Sequence, residues 1–233
     1  MTLIDAIVRA GRLPGNHASQ ADKKRFSEIL SAHLAQEVAC GLGNVGFKNV
    51  RPVPGGTGER AFHGGLGPKK VDVSCADEQH GLLLAVSIKT INCPPFGKNL
   101  RNRFADLCTE AITLHMRFPY GVVCSLFAFP QAADEDVTRG RKISTFRRAM
   151  RLMASVSDRR DYTDAGEKFE HVAMLLFRPV GHSRGRPQIW IFDAKTEKRI
   201  SEKAYFTLLR EIFNRRNPSA PIGEDEDSPS GEE

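Results

Sequence analysis

The sequence predicts a central mixed β-sheet flanked by helices, of the α/β or α+β class. Three observations carry that expectation. Helical and strand-like segments follow one another in the order α-β-β-α-β and then α-β-β-α. One segment, YGVVCSLFAF at 120–129, is almost continuously apolar and β-prone, as a strand buried on both faces must be. Two further pairs of strand-like runs are joined by short polar or Gly/Pro-containing stretches, the pattern of antiparallel hairpins.

The elements follow in order. Residues 19–40 read as a helix capped by Ser19, with Phe26, Ile29, Leu30, His33, Leu34 and Val38 at helical spacing. Gly41 reads as its C-cap, and 41–46 as a turn into a short strand at 47–50. Residues 52–68 hold three prolines and six glycines and read as a mobile loop. Strands at 71–75 and 82–91 form a hairpin around the polar stretch 76–81. A helix at 102–117 stops before Pro119 and leads into the buried strand. A very basic helix at 143–156 has an apolar stripe of Phe146, Ala149 or Met150, and Met153. Strands at 172–180 and 188–194 pair around 181–186, and an amphipathic helix spans 202–215. The domain is expected to span 19–216, with 1–18 as an N-terminal extension and 217–233 as a disordered acidic tail.

Composition narrows the class. The 233 residues suit one domain, and 40% hydrophobic with 27% charged residues is ordinary for a soluble protein. No apolar run is long enough to span a bilayer, and the N-terminus lacks the pattern of a secretory signal. Five scattered cysteines, never in CxxC spacing, argue against a disulfide scaffold and a zinc ribbon. The expectation is a cytoplasmic, reduced protein with no membrane partner. The net charge of +6 conceals an asymmetry, because residues 217–233 carry six acids and no base. The remaining body has 34 basic and 22 acidic side chains, a net of +12. Such a surface favours polyanions, although the charge alone also fits a solvated protein.

Most motif matches fail on context. Gly41-Leu42-Gly43-Asn44-Val45-Gly46 fits GxGxxG by letter but ends a helix, where a dinucleotide loop follows a strand and opens one. Gly55, Gly56 and Gly58 lack the Gly-Lys-Ser/Thr ending of a P-loop, and the histidines form no paired ligand pattern.

One constellation remains. Ser87 and Lys89 are two apart on a strand and so share a face, while Val86 and Ile88 point to the other. With the hairpin turn near Glu78 and Gln79, Asp72 lies opposite Ala85, and Asp72, Ser87 and Lys89 converge. A charged lysine ending an apolar strand needs an anionic partner or an exit to water. An ordinary cross-strand ion pair meets the same need.

A helix, a hairpin carrying Asp72 and then Ser87-x-Lys89, a second helix and a buried strand resemble the PD-(D/E)XK nuclease superfamily of restriction-endonuclease-like folds. The resemblance covers about 19–130 and implies an αβββαβ core. Asp72 matches the motif's Asp and Lys89 its Lys; Val71 replaces the loosely kept Pro, and Ser87 stands where an acid is expected. It implies a Mg²⁺- or Mn²⁺-dependent endonuclease that hydrolyses DNA in line and leaves a 5′-phosphate. Phosphodiester cleavage needs a hard cation held by one or two carboxylates, waters and the scissile phosphate. Some members with Ser-x-Lys take the missing acid from the next helix. Asp106 and Glu110 are the candidates there, with Glu110 preferred for its apolar neighbours Leu107 and Ala111. A solvated face of paired charges accounts for the same two residues. Glu37, on the apolar face of the first helix, is a further metal-ligand candidate, or else a boundary acid satisfied by an arginine or a backbone donor.

Basic residues surround that centre in the sequence. Lys69 and Lys70 precede Asp72; Lys98, Arg101 and Arg103 follow the Lys89 strand; Arg139, Arg141, Lys142, Arg147, Arg148 and Arg151 form a third group. Phosphate contacts from such residues give salt-sensitive affinity with little sequence information. DNA is the expected partner, with RNA as the alternative, a homodimer as the arrangement for cutting both strands, and restriction or defence as the role the family implies. A catalytically silent nucleic-acid-binding protein is the second reading, favoured by Ser87. A protein-interaction factor whose acidic tail covers its own basic face is the third.

Overall fold

Apolar residues at helical spacing in some segments, and at every position in others, build six helices and nine strands among the residues described by the computed structural model, 2–56, 59–137, 142–182 and 185–223. In chain order these are α1 (Leu3–Ala10), α2 (Gln20–Asn44), β1 (Val50–Arg51), β2 (Arg60–Gly64), β3 (Gly67–Val71), β4 (Val73–Asp77), β5 (Gly81–Thr90), α3 (Phe96–His115), β6 (Val122–Pro130), α4 (Ala132–Glu135), α5 (Thr145–Ser155), β7 (His171–Arg178), β8 (Gln188–Asp193), β9 (Arg199–Ile200) and α6 (Glu202–Arg216).

Seven strands form one mixed sheet in the order β1-β4-β5-β6-β7-β8-β9, and β2 and β3 form a separate hairpin. Strands β5, β6 and β7 are parallel, and antiparallel pairs flank them on both sides. Every residue of β6 is buried, which explains its near-continuous apolar sequence. One face of the sheet packs against α1, α2 and α6 through residues such as Leu30, Leu34, Val86, Leu126 and Leu209. The other face packs against α3 and α5 through Ala85, Phe127, Leu107, Phe146 and Met150. Glu170 anchors a buried ionic cluster at the start of β6, where it accepts from Arg159 Nη1 at 2.8 Å and Val123 N–H at 2.8 Å and lies 3.3 Å from His115 Nε2. No helix among the described residues is long and apolar enough to cross a membrane.

Four departures from the expected elements have physical causes. The stretch before Ser19 is not featureless: α1 buries Leu3, Ala6 and Ile7 in the core, and Thr2 and Asp5 form its capping box. Helix α2 does not stop at Gly41 but continues to Asn44. A Cβ at Gly41 would lie 2.1 Å from the Phe206 ring, so this glycine admits α6 rather than ending α2. The expected loop 52–68 contains most of the β2–β3 hairpin. Its tip sits against the end of α3, where Gly65 N–H donates to Thr113 O at 2.8 Å and a Cβ at Gly64 would meet the same oxygen at 2.6 Å. Helix α3 starts at Phe96 rather than 102, because Phe96 and Leu100 are also buried. The tail from Glu224 onward, and Arg139 and Arg141, lie outside the described residues.

Candidate active site

The register of the β4–β5 hairpin sets the geometry. Ser74, not Asp72, lies opposite Ala85, and a bulge falls between Cys75 and Ala76. This corrects the expected pairing by two residues, and an even shift keeps Asp72 on the face of Ser87 and Lys89. Asp72 occupies the bend between β3 and β4, where the chain passes from the small hairpin to the main sheet. Its Oδ2 accepts from the Ile88 N–H at 2.7 Å and lies 4.0 Å from Lys89 Nζ. Burial pushes the Asp72 carboxyl above the ordinary range, against the pull of Lys89 and the Ile88 amide, with Glu110 and Glu59 pushing the same way as burial.

Lys89 donates to Glu110 Oε2 at 3.0 Å. The same oxygen lies 3.2 Å from Lys69 Nζ. The Glu110 side chain is only 1% exposed, and its Oε1 is buried with no hydrogen-bond partner among the described residues. Glu110 is thus the acid that Lys89 holds, but it does not line the cavity described below, whereas Asp106 does. Asp106 is half-exposed and pairs with Arg103 at 3.4 Å.

Ser87 and Glu37 both lie outside the cavity described below. Ser87 is buried, and its Oγ has no hydrogen-bond partner among the described residues. Glu37 is buried but is engaged by Arg9 of α1. Among the described residues no group of three or more His, Cys, Asp or Glu side chains is arranged to hold a metal ion.

Asp72 and Lys89 open into a cavity of about 1410 Å³ between the N-terminal halves of α2 and α3. Lys23 and Lys24 line the α2 wall, and Lys98 and Arg103 the α3 wall. Asn92 ties the floor to α2 by donating to Ser27 Oγ at 2.9 Å and to Thr90 Oγ1 at 3.0 Å. Sequence reasoning missed Lys23, Lys24, Asn92 and Glu59. The only local signal was the position of the two lysines on the polar face of α2. Glu59 lines the cavity and pairs with Lys70 at 3.2 Å.

None of the other predicted basic residues among those described lines the cavity. Arg101 and Arg151 are exposed outside the lining. Arg147 stacks over the Phe192 ring at 5.8 Å and approaches Asp134 at 3.7 Å. Arg148 reaches the start of α3, 3.6 Å from where a Cβ at Gly97 would stand. Compared with known proteins, the chain matches no family model, and neither a curated protein nor a solved structure matches it.

Proposed function

We propose that the protein is a metal-dependent endonuclease of the PD-(D/E)XK type acting on DNA. The observation that carries this reading is that Asp72 and Lys89 line a cavity with cations on both walls, with the buried Glu110 bonded to Lys89 behind them. Asp72 and Glu110 are hard oxygen donors on either side of one lysine, and the unpartnered Glu110 Oε1 suits a cation or its water. Two carboxylates suit Mg²⁺, which keeps waters and takes oxygens from a substrate phosphate. Bound there, the cation would supply Lewis acidity to the scissile phosphate and an activated water.

The chain's own groups do the rest. Ile88 N–H fixes one Asp72 oxygen, so the carboxylate is oriented before any ligand arrives. Lys89 Nζ, anchored by Glu110, is placed to donate to a non-bridging phosphate oxygen as negative charge develops there. Lys23, Lys24, Lys98 and Arg103 would hold the flanking phosphates.

Cleavage of plasmid and single-stranded DNA with Mg²⁺ or Mn²⁺ tests the reading. Asp72→Ala and Lys89→Ala are expected to lower cleavage by at least about 100-fold, the scale of a lost transition-state contact, while DNA binding survives. Full activity in either variant overturns the assignment. A second reading, a catalytically silent nucleic-acid-binding protein, is favoured by the buried Ser87 in place of an acid. Salt-sensitive binding without cleavage by the wild type would support it. Cutting of RNA alone would change the substrate and keep the chemistry.

A further inference from the structure

We infer that Lys69 competes internally with the divalent cation: its ammonium holds Glu110 closed until substrate phosphate draws it away, so cation and DNA binding reinforce each other. The inference rests on the cation-dependent reading above.

Two ammonium groups share one buried oxygen, Glu110 Oε2, with Lys89 at 3.0 Å and Lys69 at 3.2 Å. With Asp72 Oδ2 4.0 Å from Lys89, the two ammonium groups already balance the two carboxylates of the site before any metal arrives. Lys89 comes from β5, whose strand ends at the site, but Lys69 comes from the separate β2–β3 hairpin. That hairpin is fixed against Thr113, one turn beyond Glu110 on the same helix, so the approach of Lys69 to Glu110 is built into the packing. A long lysine chain at 30% exposure can instead place its ammonium in water. Here it turns inward.

Charge counting gives the consequence. With a dication present, Lys69, Lys89 and the metal bring four positive charges to the two carboxylates of Asp72 and Glu110. Glu59 gives no relief, since it is paired with Lys70. In the free protein Lys69 therefore disfavours the cation. An arriving phosphodiester adds negative charge and offers the ammonium another partner, which frees Glu110. Linkage requires the reverse as well: bound cation strengthens the hold on phosphate.

The test is Mn²⁺ binding to the full-length protein without DNA, read as free Mn²⁺ by electron paramagnetic resonance. Lys69→Met is expected to bind Mn²⁺ about tenfold more tightly than wild type, the scale of one screened charge contact. Lys69→Gln should gain similarly and guards against a defect peculiar to Met, whereas Lys69→Arg should keep wild-type affinity. Adding Asp72→Asn to Lys69→Met should abolish the gain. Equal or weaker binding by Lys69→Met and Lys69→Gln, with Asp72→Asn weakening all, overturns this inference and leaves the cation-dependent reading standing. Mn²⁺ binding that Asp72→Asn does not affect overturns the cation reading, and this inference with it.

Discussion

Asp72 shows what a site residue costs the fold. Burial raises its carboxyl above the ordinary range despite the nearby Lys89, so ionising it is harder in the folded chain than in the unfolded one. The sign follows from linkage. The folded state holds the proton to a higher pH, so the group's contribution is fully present below its unfolded pKa and is lost as pH rises through the raised value. Above that raised value the charged Asp72 opposes folding. Asp72→Asn keeps an oxygen to accept from Ile88 N–H and removes the charge. Its Tm at pH 7 is expected at or above that of wild type, with cleavage lost. A clearly lower Tm would mean that attraction to Lys89 outweighs burial. At this scale the sequence was legible wherever the relation is local. Asp72, Ser87 and Lys89 share a face by strand parity, and an even register error leaves parity unchanged. For Glu37 the arginine alternative is the one seen, although that arginine, Arg9, belongs to a helix the sequence reading did not anticipate.

Glycines account for most of the difference at the level of elements. Gly41, Gly64 and Gly65 read as breakers because glycine has poor helix and strand propensity. In the folded chain each permits a close approach instead: Gly41 to Phe206, Gly64 to Thr113, and Gly65 to Met116. A missing side chain is visible in the sequence, whereas the neighbour that fills its space is a tertiary fact. The hairpin that delivers Lys69 and Asp72 was hidden for this reason. Strands β5 and β6 and helices α5 and α6 were legible because their apolar periodicity is strong and their contacts span both layers. Gly41→Ala makes the point testable. The added methyl would meet the Phe206 ring, and overpacking of this kind costs about 1–3 kcal/mol, read as a lower midpoint in urea unfolding. Phe206→Leu in the same chain should recover part of the loss, so the two changes should be non-additive. Full additivity would place the cost elsewhere.

On the scale of the whole molecule, the parallel order of β5 and β6 sends α3 across one face of the sheet while α2 lies on the other. The end of β5 therefore emerges between the starts of two helices, and each helix presents lysine or arginine to the opening. This arrangement separates two classes of basic residue that are indistinguishable in the sequence. Lys23, Lys24, Lys98 and Arg103 face the cavity, whereas Arg147 is committed to Phe192 and Asp134 and Arg151 is exposed beyond the cavity. If nucleic acid binds in the cavity, only the first class neutralises phosphates. Each such contact contributes about −0.9 to the slope of log K against log salt on duplex DNA. Lys23→Ala and Lys98→Ala should therefore each weaken binding and reduce the slope by about one, to a similar degree for unrelated DNA sequences. Arg147→Ala and Arg151→Ala should leave the slope unchanged. Titrations of duplex DNA at several salt concentrations, with Mg²⁺ replaced by Ca²⁺ to suppress cutting, separate the cases. Equal loss of slope in both classes would spread the binding surface over the α5 face and detach it from the Asp72–Lys89 floor.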